Sequence, residues 1–120
     1  MFRSAAIALA AILPAAAVAD DVRSVRDKGD FLSLVEDRVL RMGIFDLSLN
    51  VLADGRIEGS ALGWGITGSW SWQDGFFCRE MDWSGMAIAH NCQLVEALGR
   101  ERLRFTVDRG AGDSATFRLR

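Results

Sequence analysis

The chain has 120 residues, 50% of them hydrophobic, with 14 Lys and Arg against 16 Asp and Glu for a formal charge of −2. That length supports one domain and one core, which excludes a dinucleotide fold with a separate substrate domain. The negative balance excludes the basic footprint that a phosphate backbone requires, so no nucleic-acid partner is expected.

Residues 1–19 read as a signal peptide. Met1-Phe2-Arg3 is a positive start, Ala5 to Ala17 is an apolar run broken by Pro14, and Ala17-Val18-Ala19 is a small-x-small cleavage pattern. The apolar run is too short to span a bilayer, and no cysteine follows the cleavage site to carry a lipid. Residues 20–120 are therefore expected as a single β-rich domain, periplasmic or secreted, with no stable membrane anchor.

Asp20 to Arg26 is short and polar, a loose lead-in. Asp27 or Asp30 can cap a helix, and Phe31, Leu34 and Val35 follow at the spacing of one apolar stripe. Such a helix has about two turns and cannot survive without a surface to lie on. From Val39 the period changes to two: Phe45, Leu47, Leu49 and Val51 alternate with Asp46, Ser48 and Asn50, the pattern of a half-buried strand. Further runs fit strands at Arg56–Ala61, Ile66–Trp72, Phe76–Asp82, Ala87–Val95, Leu103–Asp108 and Ala115–Leu119. Turn signals recur at intervals of about ten residues. The fold class is mainly β: a short N-terminal helix with a curled antiparallel meander sheet or small barrel of about seven to eight strands.

Two Asp-Gly pairs refine the register. Val51 and Ile57 are symmetric about Asp54, and Trp72 and Phe76 about Asp74, so each hairpin is expected to turn through three residues with glycine left-handed. The second register places Trp70 opposite Cys78 and Gly68 opposite Glu80. A third hairpin near Gly85 places Cys78 opposite Cys92, Glu80 opposite His90 and Asp82 opposite Ile88. Cys78 and Cys92 in an exported chain read as one structural disulfide. Their spacing is not a C-x-x-C motif, and the single His90 does not complete a zinc site, so no metal is expected.

Gly63-Trp64-Gly65 and Gly68 do not open a helix as a phosphate loop does, and they read as a tight bend. Trp64 beside two glycines is a candidate for an exposed rim. Phe77, Met81 and Trp83 lie on the face opposite Cys78 and need cover. Arg100, Arg102, Arg104, Arg118 and Arg120 alternate with apolar residues as a solvated face does. One histidine, no tyrosine and no nucleophile-elbow serine make a poor catalytic inventory, so no catalytic residue and no cofactor is assigned. Glu80 and His90, with Trp64, are the candidate ligand-binding residues.

From Asp54 onward the chain resembles a family of short exported alphaproteobacterial proteins often labelled dihydrodipicolinate reductase. The resemblance rests on Asp54-Gly55-Arg56-Ile57-Glu58-Gly59, Gly68-Ser69-Trp70-Ser71-Trp72, Phe77-Cys78-Arg79 and Asn91-Cys92-Gln93, and on the end of the chain. There Leu103-Arg104-Phe105, Asp108-Arg109-Gly110, Gly112-Asp113 and Phe117-Arg118-Leu119-Arg120 match. The reductase itself has an N-terminal glycine-rich loop and a histidine- and lysine-containing substrate site. This chain carries an Ala-rich leader at that place and one histidine, so the resemblance implies a fold and no mechanism.

The function expected is an exported, non-enzymatic binding or interaction module for an unknown small ligand held in the sheet's concavity. The alternative is a periplasmic protein-binding barrel resembling a protease inhibitor, and the third is the reductase of the family label. A Trp-lined cavity would favour a ligand. A filled core with a flexible Asp20–Arg26 arm would favour an inhibitor.

Overall fold

The computed structural model describes residues 21–120; the expected signal peptide and its cleavage site lie outside them. The elements in chain order are β1 (Val22–Val25), α1 (Lys28–Val35), β2 (Leu40–Met42), β3 (Leu47–Val51), β4 (Arg56–Ala61) and β5 (Trp64–Gln73). They continue with β6 (Phe76–Trp83), β7 (Met86–Leu98), β8 (Arg102–Thr106) and β9 (Ser114–Leu119). Strands β2 to β9 close into an eight-stranded antiparallel barrel, and β1 is an extra strand on β7.

The 13 residues of β7 make the closure possible. Its first half pairs with β6, while its second half pairs with β8 on one side and β1 on the other. The polar lead-in is thus a strand, with Val25 opposite Val95 and both fully buried. A ladder needs only backbone groups, which no side-chain pattern advertises.

Asp27 caps α1, its carboxylate accepting from the Asp30 amide at 3.0 Å. The helix closes one end of the barrel by burying Phe31 completely among inward-facing rings, with centroids 5.5 Å from Trp70, 5.2 Å from Phe77 and 6.3 Å from Phe105. Burying such a side chain is worth about 1.5–3 kcal/mol, which an eight-residue helix cannot supply from its own hydrogen bonds.

The first hairpin has the expected register: Val51 faces Ile57 and Gly55 is left-handed at φ +96°. The second does not. Asp74 and Gly75 both take positive φ, a two-residue turn that pairs Gln73 with Phe76 and Trp70 with Arg79. The ladder is one residue away from expectation, so Trp70 and Cys78 lie on opposite faces. Adjacent phenylalanines explain the error. Phe77 points inward, and Phe76 lies outside under the guanidinium of Arg26, 4.4 Å from the ring centre.

In the third hairpin Cys78 does face Cys92, and their sulfurs are bonded. The turn, however, is Ser84-Gly85, pairing Trp83 with Met86 and Asp82 with Ala87. A bulge between Arg79 and Met81 absorbs the difference, with Ala89 and His90 of β7 facing Glu80 alone. Glu80 therefore has no direct cross-strand partner in β7.

Candidate functional site

Alternation along the barrel strands sends one set of side chains inward. Leu40, Leu49, Val51, Ile57, Phe77, Met81, Phe105, Ala115 and Phe117 converge on an interior cavity of about 260 Å³. The lining continues to Arg79, Gln93, Val107, Asp113 and Ser114. A cavity that holds a benzene ring measures about 150 Å³, and drug-sized sites run from about 300 Å³ upward. This one suits a small molecule.

Two polar side chains break the apolar lining. Arg79 sits level with Trp70 on one side and Asn91 on the other. Its guanidinium donates to the carbonyl of Ala89 at 2.7 Å, at the bulge, and burial pulls its pKa below the usual arginine value. A guanidinium remains charged in any case. No carboxylate among the described residues forms an ion pair with it. Gln93 is only 7% exposed overall, but its amide atoms are not buried without a partner, so they are accessible from the pocket they line. Neither residue was singled out from the sequence, yet the signal was there. Arg79 lies between Phe77 and Met81 in an alternating run, and Gln93 continues the buried face of Val95 and Ala97.

The residues that were singled out lie elsewhere. Glu80 and His90 are both exposed, with no bond or ion pair between them. The register that paired them is corrected by the bulge. His90 instead neighbours the cysteines, its ring nitrogen and both sulfurs lying within 4.8 Å of one another, although the sulfurs are committed to the disulfide. Trp64 is 64% exposed on the β4–β5 hairpin. Around it stand other exposed apolar side chains: Leu62 in the same turn, Ile44 and Phe45, whose carbonyl accepts from the Leu62 amide, and Met86 at the start of β7. These loops share the barrel end opposite α1.

The cavity wall carries no tryptophan. Trp70 and Trp72 pack on Phe31 at the closed end, and their indoles donate to the carbonyls of Leu52 and Arg26. Val22 to Val25 is held in β1, so it is not a free arm. Outside, Arg118 lies directly between Arg41 and Arg102 on its neighbouring strands, and Arg104 pairs with Glu96 at 3.1 Å. Among the described residues no helix is long and apolar enough to cross a membrane. Comparison with protein-family models, curated proteins and solved structures finds no match.

Proposed function

We propose that this protein is an exported, non-enzymatic binding module that holds a small, largely apolar molecule inside its barrel. The observation that carries this reading is the largely apolar pocket of about 260 Å³ within the barrel. Apolar surface left uncovered in such a pocket costs free energy, and contact with an apolar ligand recovers it. The Ala-rich leader and the Cys78–Cys92 bridge support a periplasmic or secreted location.

The test is titration with 1-aminonaphthalene, a neutral ring system whose fluorescence rises in apolar surroundings. Saturable, one-to-one binding that is abolished by Ala115→Phe, which fills the cavity, is the expected result. A folded wild-type protein that gives no saturable signal rejects the reading. A second reading, that the barrel docks a partner protein, is favoured by Ile44, Phe45, Leu62 and Trp64 standing exposed at one end. Trp64→Ser would then weaken association with that partner without touching the cavity.

A further inference from the structure

We propose that the barrel's ligand is a single-tailed amphiphile with an anionic carboxylate head, the head held by Arg79 and Gln93 and the tail running inward toward Ile57 and Phe117. The inference rests on the cavity being a binding site and adds the chemistry of what binds.

Arg79 is the first ground. A cation placed beside apolar side chains loses hydration on that side and regains little from one carbonyl, so an incoming anion gains more there than at any solvated arginine. Arg23, Arg41, Arg56 and Arg104 have carboxylate partners on the surface, whereas Arg79 lines the apolar pocket without one among the described residues. Arg79 has the Ala89 carbonyl alone. Its planar fork keeps donors in hand for the two oxygens of a carboxylate.

Gln93 is the second. It lines the same pocket as Arg79 with only 7% of its surface exposed, and its amide is not engaged by any other side chain among the described residues. Phe77 faces Gln93 and Arg79 faces Asn91, so Arg79 and Gln93 are diagonal neighbours on one inward face. Their Cβ atoms are then about 7–8 Å apart or less, within reach of one shared head group. The Gln93 amide supplies a further donor to the same oxygens.

Volume sets the tail. Scaling from the six carbons that occupy about 150 Å³, the cavity accommodates roughly ten carbon atoms. Asp113, the one acid in the lining, is exposed and therefore well hydrated, so it weighs less on the head group than the half-buried arginine does.

The experiment compares three ten-carbon probes, decanoate, 1-decanol and decylammonium, displacing 1-aminonaphthalene from the disulfide-intact protein at pH 7.5. Decanoate is expected to bind at least about tenfold more tightly than decanol, the scale of a charge-assisted hydrogen bond. Arg79→Gln should remove that preference and leave decanol affinity within about twofold. Gln93→Leu should lower decanoate affinity alone. Equal binding of decanoate and decanol, or a preference for decylammonium, overturns the head-group assignment while the dye signal keeps the cavity reading intact. If Arg79→Gln does not fold, the wild-type comparison and Gln93→Leu still decide. Loss of all dye binding in folded wild-type protein falls on the cavity reading instead.

Discussion

The rings of Phe31 and Trp72 stack at 5.0 Å between centroids and 28° between planes, joining the only α-helix among the described residues to the barrel wall. Trp72 also donates its indole N–H to the carbonyl of Arg26, just before that helix. One side chain thus anchors α1 and another fixes the chain entering it. Phe31→Ala is expected to cost about 3–5 kcal/mol, because the ring leaves a space that rigid strands cannot collapse to fill. Urea unfolding measures it. A loss below about 1 kcal/mol would show that the helix does not close the barrel.

Cys78 and Cys92 bridge directly paired residues of β6 and β7 that are 14 apart in sequence. The chain-entropy contribution for a loop of that size is about 3 kcal/mol. Paired replacement by serine should therefore lower the denaturation midpoint clearly while the far-ultraviolet β signature persists, since the ladder continues on both sides of the bridge. An unchanged midpoint would contradict it.

Gly68 and Gly65 lie on the same strand and should respond oppositely to one methyl group. A Cβ on Gly68 would come 2.5 Å from the Glu80 carbonyl oxygen, a backbone atom that cannot step aside, whereas nothing lies within 4 Å of the same position on Gly65. Gly68→Ala is expected to destabilise by about 1–3 kcal/mol or more, the cost of overpacking. Gly65→Ala should leave stability within about 0.5 kcal/mol. Thermal melts of the two variants side by side provide the comparison.

Arg118 sits directly across from Arg41 on β2 and from Arg102 on β8. Like charges in facing positions disfavour a sheet, and removing the middle one relieves both contacts. Arg118→Thr, which also suits a strand, should raise stability by a few tenths of a kcal/mol, with the gain shrinking in high salt. A gain that persists in 1 M salt would point to strand propensity instead of charge.

Asp30 has its pKa held below the ordinary value of 3.8 by the hydrogen bonds and charge of Arg23 on β1. A lowered folded-state pKa stabilises the fold above the ordinary value, and that contribution fades as pH falls through the lowered one. With both side chains more than a third or about a third exposed, the effect is about 0–1 kcal/mol. Arg23→Ala should return the Asp30 titration, followed by carboxyl NMR, to the ordinary value. A titration that stays low in the variant would assign the shift to another group.

The alternation of Leu47, Leu49 and Val51 determined a strand, the symmetry of Val51 and Ile57 about Asp54 determined its hairpin, and Asp27 or Asp30 marked a helix start that the structure assigns to Asp27. These features are local. Each depends on residues within one turn or one hairpin, where side-chain period and backbone preference act together. The pairing of Cys78 with Cys92 was also legible, although the register read outward from it held only to Arg79 and failed at Glu80.

Tertiary structure alone decided the rest. With Phe76 beside Phe77, either parity buries a ring, so only the left-handed backbone of Asp74 and the barrel wall around it select Phe77. The bulge at Glu80 separates that carboxylate from His90 because a closed barrel needs its strands bent where β7 passes from β6 to β8. Closure, in turn, creates the cavity. Alternation places Arg79 on the face of Phe77 and Met81 and Gln93 on that of Val95 and Ala97, but those faces line one interior only once eight strands surround them. Burial is a property of the assembled surface, and no single strand carries it.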